Sequence, residues 1–121
     1  LTPTRDFNFV TDTAAGFIAL GNADGVVGRE INIATGTEVT MRETLETIAD
    51  IMGEDVTYVT DPARLRPAGS EVFRLCGDNS LITSLTDWRP RHDLRSGLAL
   101  TVDWFTCPEN LARYKAGIYN L

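Results

Sequence analysis

The chain has 121 residues, is 43% hydrophobic and 23% charged, and carries a formal net charge of −6. That is one domain's length, enough to bury a core. Its acidic balance, with no basic block, argues against nucleic acid and anionic membrane surfaces as partners. No apolar run reaches the length of a membrane span and no signal peptide opens the chain, so a cytoplasmic protein with no membrane partner is expected.

In chain order, Pro3 to Asp12 comes first. Arg5 and Asp6 head an aromatic, β-prone run through Phe7 and Phe9, and a helix start follows with Asp12 as its expected N-cap. A cation lying on a short strand and aimed at the next helix's N-terminus suits an anion such as a phosphate. An Arg5–Asp6 surface pair beside a half-buried strand is the competing reading. Residues 13–20 predict a short apolar helix, stopped by the Gly21, Asn22 and Gly25 cluster. Ile31 and Ile33 alternate with Asn32 as in a short strand, closed by Thr35-Gly36.

Thr40-Met-Arg-Glu43 is a capping-box pattern. Behind it Met41, Leu45, Ile48, Ala49 and Met52 share one helical face, with the methionines as core filler, and Gly53 supplies a left-handed stop. Val56, Tyr58 and Val59 predict another short strand, ended by Asp61-Pro62. Residues 62–70 hold two prolines, a glycine and two arginines, which predicts a loop of the kind that carries ligand contacts. Glu71 to Cys76 alternates weakly, as a strand would. Asp78 is expected to cap a helix over 79–85, and Asp93 a longer one whose apolar face is Leu94, Leu98, Val102 and Phe105. Pro108 ends or kinks that helix, and a final short helix is expected over 109–115. The whole reads as a single domain, 1–121, with more helix than strand.

Arg64 and Arg66 lie close together, as do Arg89, Arg91 and Arg95, which is compatible with binding a small anion at a defined site. Cys76 and Cys107 have no metal-ligand spacing and His92 has no partner nearby, so no zinc pattern exists. A disulfide is open as an alternative, but two buried or half-buried thiols in a cytoplasmic protein is the preferred reading. His92 is expected to be a surface residue at a helix entry. No Tyr-x-x-x-Lys pair is present, and Gly21, Gly25 and Gly28 precede a strand, so they cannot form a dinucleotide-binding turn. The chain therefore shows no catalytic base and no cofactor site of its own, and is expected to be inactive alone.

These segments resemble the extended short-chain dehydrogenase/reductases, the NAD(P)-dependent nucleotide-sugar epimerases and 4,6-dehydratases. The run from Pro3 to Phe17 resembles the start of their carboxy-terminal, substrate-binding part. Glu30 to Gly36 with the capped helix, Arg66-Pro-Ala-Gly-Ser-Glu-Val-Phe-Arg-Leu75, Asp78-Asn-Ser through Trp88-Arg-Pro90, and Leu98 to Trp104 follow in the family's order. The Arg66 to Leu75 stretch is most similar to the UDP-N-acetylglucosamine type of 4,6-dehydratase.

The resemblance implies an α/β chain: a mainly helical small domain with short strands, the carboxy-terminal part of a Rossmann-type enzyme whose Rossmann half is missing here. It implies that Arg5 and Arg66 clamp a nucleotide diphosphate, with Phe7, Ser70 and Glu71 at the same substrate site. It implies NAD or NADP in the full-length enzymes but none held by this chain, and association as a homo-oligomer or with a Rossmann half, since apolar surface is left uncovered. A loop Arg66 paired with Glu71 or Asp61 is the competing reading of that arginine. The chain departs from the pattern at Leu81, where the family has lysine, and at Asp87, where it has glycine; the latter predicts an altered helix end.

Overall fold

The computed structural model describes residues 1–59, 69 and 72–114. A two-residue strand β1 (Thr4–Arg5) pairs antiparallel with β2 (Val39–Thr40), with Thr4 opposite Thr40 and Arg5 opposite Val39. Between them lies α1 (Val10–Gly21); after them come α2 (Met41–Met52), α3 (Ser80–Leu85), α4 (Leu94–Thr106) and α5 (Pro108–Leu111). Helix dominates, as the sequence implies.

Local chemistry explains the helices that were legible. The Thr40 hydroxyl accepts from the Glu43 amide at 3.0 Å and Glu43 Oε2 accepts from the Thr40 amide at 2.8 Å, so two amides at the start of α2 are satisfied reciprocally. Gly53 closes the helix at φ 70°, a left-handed conformation that glycine adopts without a Cβ clash. Asp93 caps α4, accepting from the Ser96 amide at 2.8 Å. α2 packs on α4, and Arg95 of α4 pairs with Asp50 of α2 at 2.7 Å. Both partners of that pair are exposed, so it contributes at most about 1 kcal/mol.

Several expectations are corrected. Asp12 is not the cap of the first helix. α1 begins at Val10 with Phe9 as N-cap, and Asp12 lies buried in its first turn. The expected strand at Ile31–Ile33 does not form, nor does the one at Val56–Val59, because neither run has a ladder partner among the described residues. Tyr58 instead lies against α2, its ring 4.8 Å from the Arg42 guanidinium carbon and its hydroxyl 3.3 Å from Glu46. Of the strand expected over 71–76, residues 72–76 show one parallel bridge, Thr4 to Arg74; Glu71 lies outside the described residues.

Asn79 is the boundary residue of α3 and makes no side-chain cap bond; the capping bond comes, as expected, from Asp78, which accepts from the Ser80 amide at 2.9 Å. Pro108 opens α5, where its fixed φ and missing N–H are favourable, and α5 stops at Leu111. The expected extension to Lys115 leaves the described residues. Met52 is half exposed rather than core filler.

The end of α3 is resolved without glycine. Thr86 stands at the C-cap in an extended conformation (φ −141°), its hydroxyl donating to the Ile82 carbonyl at 2.8 Å and accepting from the Trp88 amide at 3.1 Å. No described non-glycine residue has positive φ, so Asp87 needs no glycine-like backbone.

The described core is thin: Ala34, Ile82 and Trp88 are its buried apolar members. Val10, Phe17 and Ile18, with Ala14 between them, lie at helical spacing on one side of α1 and all are exposed. An apolar stripe facing outward is the reverse of an ordinary amphipathic helix. No described helix is long and apolar enough to cross a membrane.

Candidate functional site: the Arg5 strand and the Phe7 groove

Arg5 is half buried at the end of β1. Its Nη1 donates to its neighbour Thr4's carbonyl and to the Val72 carbonyl, both at 2.7 Å. The 72–75 run lies alongside β1: the Thr4 amide donates to the Phe73 carbonyl at 2.8 Å and the Leu75 amide to the Thr4 carbonyl at 3.2 Å. On the other side of Thr4, its hydroxyl donates to Glu38 Oε2 at 2.7 Å, and Arg74 Nε donates to both Glu38 oxygens at 2.7 and 2.9 Å. Hydrogen bonds from Thr4 and then Arg74 hold the Glu38 carboxyl below its usual range, against a smaller opposing effect of desolvation.

Asp6 binds the same frame from the next position. Its Oδ1 accepts from the Thr35 amide (3.0 Å) and the Thr35 hydroxyl (2.5 Å), and its Oδ2 from the amides of Gly36 (2.9 Å) and Gly77 (3.2 Å). The segments around Ala34 and Gly77 approach so closely that a Cβ on Gly77 would overlap that of Ala34. Asp6 is thus more than one half of a local surface pair.

Phe7, 39% exposed, walls two clefts. One is an open groove of about 440 Å³ lined also by Thr35, Thr37, Val39, His92 and Ser96. The other, about 140 Å³, lies between Phe7 and the first turns of α4.

The far wall of the groove is fixed by Asp12, which is 2% exposed. Its Oδ2 accepts the Arg91 and His92 amides, each at 2.9 Å, while its Oδ1 lies 3.0 Å from His92 Nδ1. The Trp88 indole N–H donates to the Asp12 carbonyl at 2.9 Å. Burial pushes the Asp12 carboxyl up, but the hydrogen bonds from His92 and Arg91 and the charge of His92 outweigh it, leaving the pKa below its ordinary value. His92 is therefore a half-buried, anchored residue, with its ring 4.6 Å from that of Phe9, and not a simple surface histidine.

Of the five residues expected at the substrate site, Arg5 and Phe7 are placed on one short segment. Arg66, Ser70 and Glu71 lie outside the described residues, as does Arg64. The later arginine group is dispersed: Arg89 Nη1 donates to the Thr86 and Trp88 carbonyls, and Arg95 pairs with Asp50. Sequence reasoning missed Asp6 and Asp12 as organisers; their partners are 29 to 80 residues away, and nothing local marks them. Cys76 is exposed, against the expectation of a buried or half-buried thiol, while Cys107 is half buried as expected; both are free.

A dinucleotide does not fit the described elements. The start of α2, directly after β2, already holds the Glu43 carboxylate on its own amide, and a pyrophosphate there would meet that negative charge. The described sheet is an antiparallel pair, without the parallel strand–turn–helix unit such a cofactor uses.

No protein-family model matches the chain. It is 33% identical over 102 residues to a GDP-6-deoxy-D-mannose reductase of Pseudomonas aeruginosa, a match covering 84% of this chain and 33% of that protein. Among solved structures, an epimerase of Methanothermobacter thermautotrophicus superposes with a TM-score of 0.80 at 30% identity, covering 93% of this chain and 32% of that one. A dTDP-glucose 4,6-dehydratase of Bacillus anthracis, solved with NAD, gives 0.74 at 28% identity, covering 89% and 33%. The chain spans about a third of the length of the relatives it matches, and over that third it is similar in sequence and fold to the NAD(P)-dependent epimerase/dehydratase branch of the short-chain dehydrogenase/reductases.

Proposed function

We propose that this chain is the nucleotide-sugar-binding portion of an NAD-dependent epimerase or 4,6-dehydratase, inactive by itself. Arg5 and Arg66 hold the diphosphate through charge-assisted, partly bidentate hydrogen bonds, and Phe7, Ser70 and Glu71 contact the rest of the nucleotide. The observation that carries the reading is the Arg5–Val72 hydrogen bond: it ties the guanidinium to the residue that directly follows Glu71. The groove beside Phe7 offers room for part of such a ligand. Hydride and proton transfers belong to the cofactor-binding half, which this chain does not supply; a cytoplasmic setting goes with the same reading. The relatives named above act, by name, on GDP- and dTDP-linked sugars, so the base is chosen by experiment. Isothermal titration with UDP, GDP and dTDP is expected to give measurable binding to at least one, weakened at least tenfold but still measurable in Arg5→Ala and in Arg66→Ala. No binding of any of the three at millimolar concentration retires the proposal.

A second reading has its own support. The exposed stripe of Val10, Phe17 and Ile18 on α1 suits a docking face. In this reading the chain is a catalytically inactive binding or assembly module, working as a homo-oligomer or seated on a separate Rossmann half.

A further inference from the structure

We infer that Asp6 is the positioning residue of the anion site: it sets where the Arg5 guanidinium sits, without touching the ligand. The inference rests on the proposed nucleotide-binding role of Arg5. A carboxylate that accepts four hydrogen bonds from three residues 29 to 71 positions away has no acceptor left to spend locally, and each bond is charge-assisted. Its bond to the Gly77 amide fixes one end of the 72–77 run against β1. At the other end of that run, the Val72 carbonyl holds Arg5 Nη1.

Between the two ends the Thr4–Phe73 and Leu75–Thr4 backbone bonds tie the run to β1 directly, and the Arg74 side chain reaches Thr4 only through the Glu38 carboxylate. A ladder this short specifies register weakly, and a slip of one residue would turn every side chain to the other face. Asp6 removes that freedom. Its bonds to Thr35 and Gly36 fix the 34–36 segment, where Ala34 approaches Gly77 too closely to admit a Cβ. The guanidinium is thus anchored by a carbonyl whose own place is set five residues away, through Asp6.

The test has one arm that needs ligand and one that does not. In the full chain, Asp6→Asn is expected to weaken binding of the tightest of UDP, GDP and dTDP by about tenfold, as loss of charge-assisted bonds to a positioned group does. In an Arg5→Ala background the same substitution is expected to cost almost nothing more, whereas a merely structural role gives the same added loss in both backgrounds. Hydrogen exchange supplies the second arm: the Thr4 and Leu75 amides lose protection in Asp6→Asn while amides within α2 keep theirs.

Should Asp6→Asn not fold, Thr35→Val removes one of the four bonds and carries both arms, with an expected loss of about twofold. Unchanged protection at Thr4 and Leu75, or an equal affinity loss with and without Arg5, overturns the inference. Absence of binding by the unsubstituted chain counts against the nucleotide role alone, because the exchange arm still reads the register.

Discussion

Asp12 and His92 are 80 residues apart in sequence and meet at 3.0 Å, Oδ1 to Nδ1, with the His92 and Arg91 amides on the other carboxylate oxygen. One buried side chain thereby fixes the start of α4 on the first turn of α1. Replacing it should show which of its contacts matter. In Asp12→Asn the amide oxygen can keep both backbone donors while its NH2 faces Nδ1, so a loss of about 1–2 kcal/mol is expected. Asp12→Ala leaves two part-buried amides without their acceptor and should cost more, about 2–3 kcal/mol. His92→Ala leaves both amides bonded and should cost least. Urea unfolding midpoints of the three variants give the order; an Asp12→Ala chain as stable as His92→Ala would mean that the backbone bonds carry little.

The same carboxylate predicts an acid limit. Its pKa in the folded chain is below the ordinary 3.8, so the folded state binds the proton less readily than the unfolded one. Its stabilisation is complete above the ordinary value and is lost as pH falls through the lower folded one. Unfolding free energy should therefore drop as pH falls below the ordinary 3.8 in the unsubstituted chain. Asp12→Asn should flatten that part of the curve while lying below it at pH 6. Parallel curves for the two proteins would assign the acid loss to other carboxylates.

Gly77 and Ala34 allow a test of packing. A methyl on Gly77 overlaps the Ala34 methyl and sits 3.6 Å from Asp6 Oδ2. Gly77→Ala should cost about 1–3 kcal/mol, as overpacking usually does. Adding Ala34→Gly opens the space, so the double variant should recover most of the loss in a thermal melt. Additive destabilisation would instead trace the cost to the backbone at residue 77.

What the sequence revealed of the fold was the part that local bonds decide. The Thr40–Glu43 box, the Gly53 stop and the Asp93 cap each involve residues within four positions, and each is found. Asp12 has the composition of a cap and the position of one, but a tertiary partner claims it. Ile31 to Ile33 and Val56 to Val59 alternate like strands, yet alternation supplies no partner, and a strand is made by its neighbour. Arg5 was singled out through family resemblance, while its Val72 carbonyl partner, 67 residues away, was not legible. Asp6 was not legible: next to an arginine it reads as a surface pair, while its real partners are 29 to 71 residues away.

The outward face of α1 gives the last prediction. Phe17 and Ile18 are each 67% exposed, so replacing both with serine removes little burial from the folded chain. Surface changes of this kind usually shift stability by no more than about 0.5 kcal/mol. If the stripe is a docking face, the cost should appear elsewhere, in association. Sedimentation velocity should show the unsubstituted chain gaining mass with concentration, and Phe17→Ser/Ile18→Ser staying monomeric with an unchanged urea midpoint. For docking onto a Rossmann half, co-purification of the two pieces should fail with the same double variant. A marked drop in its urea midpoint would place Phe17 and Ile18 in the core of this chain, and the docking face would have to be sought away from α1.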